Sequence, residues 1–177
     1  LAIFARENGF APAHGILLDL GLRSTALEAS GKGFSFQKDE PLDMRFDPSQ
    51  PVTAASIVND SSRDELRSII SKYGQDRFAG PIADGIVSAR RKSKIARTLE
   101  LVSVIDQSIP RAAHRGKIHF ATKTFQALRI EVNDELGALA DALKGSAEIL
   151  ETGGALVVIS YHSLEDRIVK RFGKEST

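Results

Sequence analysis

GILLDLG, residues 15–21, decides how this chain is read. Ile16, Leu17 and Leu18 form a short unbroken apolar run that ends on Asp19 and is followed by Gly21. An unbroken run suits a strand buried on both faces, as in a parallel sheet, whereas alternation marks a sheet with one wet face. A second run of the same kind, Leu156, Val157, Val158 and Ile159, follows the turn pair Gly153 and Gly154 and stops at Ser160. In open parallel sheets ligands bind beyond the carboxyl ends of the strands. Asp19 and the run Ser160, Tyr161, His162, Ser163 therefore stand where a site is expected.

Between these strands the period becomes helical. Leu66, Ile69, Ile70 and Tyr73 recur at helical spacing, introduced by a capping box of Ser62 and Glu65 and stopped at Gly74. Phe78, Ile82, Ile86 and Ala89 continue the period, with a break expected at Gly80 and Pro81 in the next first turn. Thr98 is expected to cap a segment carrying Leu99, Val102 and Ile105 that runs to about Ser108. Thr124, Leu128, Val132, Leu136, Leu139 and Leu143 predict one long helix, broken near Gly145. Ser163 and Asp166 have cap spacing ahead of Leu164, Ile168, Val169 and Phe172. The expectation is an α/β core at both ends of the chain with an all-helical insertion between them. Residues 1–47 and 119–177 would form the core, and residues 48–118 the insertion.

Composition narrows the function. In 177 residues, 24 Lys and Arg face 23 Asp and Glu, a formal charge of +1 that excludes a globally basic, tail-like binder. Hydrophobic residues at 42% and charged residues at 27% are those of a globular protein with a real core. The absence of Cys excludes thiolate zinc sites, redox pairs and cysteine nucleophiles. No apolar run approaches the roughly 18 residues of a membrane helix, and LAIFARENGF lacks the flanks of a signal peptide. A cytoplasmic protein without a membrane partner is expected. The chain opens on Leu1 and not Met, which raises the expectation that the natural amino end is absent.

Each residue that could carry chemistry has a plain reading beside the functional one. Asp19 either satisfies backbone donors in the turn at Gly21 or serves a reaction. His162 and Ser163 are either a strand exit and a helix cap or catalytic groups, although a Ser adjacent to a His lacks the elbow geometry of hydrolases. His14, His114, His119 and His162 include no pair at helical ligand spacing, so no metal is expected. Gly31, Lys32 and Gly33 do not make a phosphate cradle. Arg90, Arg91, Lys92, Lys94 and Arg97 cluster between two helices, with Arg111, Arg115, Lys117 and Lys123 following. Such a cluster is either a solvated face or the footprint of a phosphate-backbone binder. The segment from Gly33 to Asp47 sets Phe34, Phe36 and Phe46 among Asp43, Arg45 and Asp47. It is either a loop pinned by its rings, with Arg45 paired to an acid, or a lid that stacks on a base.

The strings GILLDLG, GKGFSF, PLDMRFD, ATKTFQALRIEVNDEL and SYHSLEDRIVKRF together resemble the bacterial small-subunit (16S) ribosomal RNA cytosine-N4 methyltransferases, in order and over nearly the whole chain. The resemblance implies an S-adenosylmethionine-dependent enzyme with a partial Rossmann-like class I core, interrupted by a helical domain that helps recognise substrate. The partner it implies is small-subunit ribosomal RNA or the ribosomal subunit. Asp19 matches the family's acid on the cofactor side of the site, and Gly21 the glycine after it. Where the family usually continues Val, Ser, Ser, Pro and Gln, this chain has Leu22, Arg23, Ser24, Thr25 and Ala26. Phe120 stands where proline is common, and Lys123 where arginine is. The early glycine-rich strand and the ribose-gripping acid have no counterpart, so an amino-terminally truncated form is expected.

Cytosine's exocyclic amine is a poor nucleophile. Its site must accept a hydrogen bond from the amine, align the nitrogen with the methyl donor and later take a proton. Asp19 is the candidate acceptor, with His162 and Ser163 completing the catalytic candidates and Asp19 and Gly21 as cofactor residues. Phe34, Phe36 or Tyr161 would stack on the extruded base, while Arg45 and the cluster from Arg90 to Arg97 bind RNA. The alternative is a non-catalytic RNA-binding or ribosome-associated fragment.

Overall fold

The computed structural model describes residues 1–21, 31–115 and 118–175. It is a mixed α/β protein whose contacts divide it into two compact units, residues 1–22 with 134–177, and residues 23–133. In the first unit, α1 (Ala2–Glu7) precedes β1 (Ala13–Asp19), and α7 (Glu135–Ile149) leads into β2 (Leu150–Ile159) and α8 (Ser163–Glu175). The two strands pair in parallel, with Leu17 opposite Val157 and Asp19 opposite Ile159. Parallel pairing in this register brings both carboxyl ends to one edge. α7 packs against α1, α8 and β2.

Burial alternates along both strands, contrary to the double burial expected from their apolar runs. Ile16, Leu18, Leu156 and Val158 are half-buried, while Leu17 and Val157 on the other face are 62% and 53% exposed.

The second unit is helical: α2 (Ala54–Asp60), α3 (Arg63–Gly74), α4 (Ala79–Arg90), α5 (Thr98–Ser108), a 3-10 turn (Arg111–Arg115) and α6 (Thr122–Asn133). Ser62 and Glu65 form the expected capping box, and Leu66, Ile69 and Ile70 carry α3 into the core. Burying each such side chain is worth about 1.5–3 kcal/mol. α3 packs on α4 and α6, and α4 on α5.

Several helix ends differ from expectation. The break before α4 falls at residues 75–78, where Gln75 adopts a left-handed backbone and Asp76 Oδ1 accepts from Phe78 N, and Gly80 lies inside the helix. Thr98 is the first residue of α5 and caps nothing: its buried hydroxyl donates to Lys38 O and accepts from Glu40 N. The long helix divides at Asp134, again left-handed, and runs unbroken through Gly145. The contacts also group the chain differently from the expected boundaries. The segment 31–47 and α6 belong with the helical unit, because Leu42, Met44, Phe125 and Leu128 are buried in its core. No described helix is long and apolar enough to cross a membrane.

Candidate active site

The carboxyl edge of the two strands gathers one constellation. Asp19 closes β1, and its Oδ1 accepts a hydrogen bond from the Tyr161 hydroxyl at 2.9 Å. That bond, to a carboxylate, raises the phenol's pKa above its ordinary value. Asp19 Oδ2 has no hydrogen-bond partner among the described residues. Gly21 turns the chain with φ +89°, and a side chain there would also meet the Tyr161 ring, 3.5 Å from the Cβ position. The positive φ is what calls for glycine here, since a Cβ at 3.5 Å from the ring would make only ordinary contact.

Tyr161 is held by a residue the sequence reading passed over. Glu165, in the first turn of α8, is 5% exposed, and its Oε2 accepts from Tyr161 N at 2.9 Å and His162 N at 3.3 Å. Glu165 N in turn faces His162 Nδ1 at 3.4 Å. This reciprocal pair caps α8, so the cap is His162 with Glu165, one residue ahead of the expected Ser163 with Asp166. Ser163 is the first helical residue and is exposed. Glu135 joins them, its carboxylate, the His162 ring and the Glu165 carboxylate offering atoms within 4.8 Å of one another. With Nδ1 accepting the backbone N–H, the imidazole proton sits on Nε2, 3.3 Å from Glu165 Oε1 though not aligned as a hydrogen bond.

The remaining candidates lie in the helical unit. Arg45 is committed to its own chain: Nε and Nη2 meet Asp43 at 2.7 and 2.8 Å, and Nη1 donates to Pro48 O and Gln50 O. The guanidinium holds the Asp43 carboxyl below its ordinary pKa. Phe34 stacks on Phe46 at 5.5 Å and Phe36 on His119 at 4.5 Å, both half-buried against the helical core. Of the basic cluster, Arg90 donates to Val58 O and Arg97 to Asp39, which ties both to structure. Arg91, Lys92 and Lys94 are exposed and make no ion pair among the described residues. Leu22 through Ala26, where the chain departs from the pattern it resembles, lie outside the described residues, as does Lys117.

A parallel strand pair that ends in an acid and a phenol, joined by a hydrogen bond and buttressed by a buried glutamate, places these groups at the carboxyl edge where open α/β sheets bind their ligands. The chain belongs to the MraW methylase family, whose model matches residues 2–177. It is 50% identical over 177 residues to the ribosomal RNA small subunit methyltransferase H of Thermosipho melanesiensis, covering 99% of this chain and 60% of that protein. Against the protein of the same name from Geobacter sulfurreducens it is 52% identical over 164 residues, covering 93% of this chain and 53% of the relative. The chain thus spans between about half and three fifths of the length of these relatives.

Proposed function

We propose that this chain is part of an S-adenosylmethionine-dependent methyltransferase acting on the exocyclic N4 amine of a cytidine in small-subunit (16S) ribosomal RNA, in the cytoplasm, with the ribosomal subunit as partner. In this reading the first unit is part of a Rossmann-like class I core and the helical unit an insertion that recognises RNA. The observation that carries it is the Asp19 and Tyr161 pair at the strand ends, in a chain of a methylase family. Asp19 Oδ2 accepts the amine's hydrogen bond and then its proton. Tyr161 fixes the carboxylate through Oδ1, and Glu165 fixes Tyr161 through its backbone N–H.

The described residues do not by themselves fit the cofactor. Asp19 and Gly21 are both exposed on an open edge, and Tyr161 is 69% exposed, so they supply one wall and no cradle. The same openness supports the second reading for the isolated chain, an RNA-binding piece without turnover.

The test incubates small ribosomal subunits with methyl-labelled S-adenosylmethionine and a protein of the relatives' full length carrying this sequence. Label in the RNA that disappears with Asp19→Asn is expected. Label confined to ribosomal proteins would contradict the reading.

A further inference from the structure

The helical unit holds a cavity of about 430 Å³ between the turn before α4, the end of α5 and the start of α6. Phe78, Ile109, Ile118 and Phe120 line its apolar wall, and Arg77 and Lys123 stand at its rim. Its size falls within the about 300–1,000 Å³ of pockets that take small organic groups.

Two features give the cavity chemistry beyond a packing gap. The first is a run of stacked rings, of which His119 and Phe120 line the cavity: Phe36 on His119 at 4.5 Å, His119 on Phe120 at 4.2 Å, and Phe120 on His114 at 4.8 Å. His119 Nδ1 accepts from Ala121 N at 3.3 Å, which leaves its Nε2 as a donor. The second is Arg77, whose guanidinium lies over the Phe78 ring with Cζ 4.6 Å from the centroid and takes no hydrogen bond among the described residues. Arginine guanidinium groups stack on aromatic faces and other π systems. Lys123 is exposed, and its Nζ donates to Gln75 O at 3.2 Å, which parks a cation at the rim with donors to spare.

A wall of aromatic rings, a guanidinium over one of them and an exposed cation match a planar base attached to a phosphate, and match a purely aliphatic ligand poorly. We propose that this cavity seats one unpaired nucleotide of single-stranded RNA, its base stacked on the Arg77 and Phe78 pair and its phosphate held by Lys123. The proposal rests on the RNA reading above and deepens it, naming the unpaired nucleotide as the form of RNA that the helical unit holds.

The test titrates the 177-residue chain into a short single-stranded RNA carrying one 2-aminopurine, whose fluorescence is quenched on stacking. Arg77→Gln, an exposed change that leaves the core intact, and Phe78→Leu, which keeps apolar volume, should each weaken binding by about 5- to 150-fold and relieve the quenching. Lys123→Gln should weaken binding and lower the salt slope by about 0.7 while the quenching stays. RNA bound and quenched equally by all three variants would overturn the pocket and leave the RNA reading standing. Failure of the unaltered chain to bind RNA would remove both. Displacement of a tryptophan-containing peptide, with RNA indifferent to the variants, would assign the cavity to a protein partner and contradict the proposal.

Discussion

Glu165 shows how much one buried carboxylate does at this edge. It answers two backbone N–H groups that the strand exit would otherwise leave unpaired beneath Tyr161. Glu165→Ala should cost about 1–3 kcal/mol in urea denaturation, and Glu165→Gln, which keeps an acceptor, should recover most of it. Arg45 and Asp43 support a second prediction. Because Arg45 depresses the Asp43 pKa below 3.8, the pair stabilises the fold above that range and loses its contribution as pH falls through the lower, folded value. Asp43→Asn should therefore be less stable than the parent at pH 7, with the gap closing as pH drops below 3.8. A gap of constant size would mean that the ion pair contributes nothing. The sequence placed Asp19 correctly at a strand end because an apolar run stopping at an acid is a local signal. It could not single out Glu165, since in the neighbouring pair Glu165 and Asp166 only the packing of α8 decides which carboxylate turns inward.

At the scale of elements, period was legible and endpoints less so. The α3 capping box is written in residues three apart along the chain and is legible directly, whereas Thr98 is fixed by carbonyl and amide groups of residues 38 and 40, far away in sequence. The division of the long helix rests on a left-handed Asp134 that no glycine or proline announces. The basic cluster also separates by element. Arg90 closes onto α2, and Arg97 onto Asp39, which leaves the connection from Arg91 to Lys94 as its exposed part. Replacing Arg91, Lys92 and Lys94 by Gln should weaken RNA binding across sequences and lower the salt slope by about 0.7–0.9 for each phosphate contact removed. Unchanged affinity and slope would make the connection a solvated face. The double burial expected of β1 and β2 differs from the described structure because an apolar run reports what a strand is suited to, and among the described residues one face of this strand pair is exposed.

For the whole molecule, two compact units account for the chain, and the reading of both was anchored by local signals, while the assignment of residues 31–47 and of α6 to the helical unit depended on long-range burial of Leu42, Met44 and Leu128. The open strand edge predicts that the 177-residue chain alone gives no saturable heat with S-adenosylmethionine up to about 1 mM in titration calorimetry. Tight one-to-one binding would mean that the edge is closed in a way its exposure does not show.

The central claim is that Asp19 accepts the amine of a cytidine in small-subunit ribosomal RNA. Its most direct test is mass spectrometry of nucleosides from small-subunit RNA treated with a protein of the relatives' full length carrying this sequence. N4-methylcytidine should form, and Asp19→Asn should reduce its rate by about 100-fold or more while folding is kept. A methyl group on another atom of the RNA, or an Asp19→Asn variant as fast as its parent, would contradict the account.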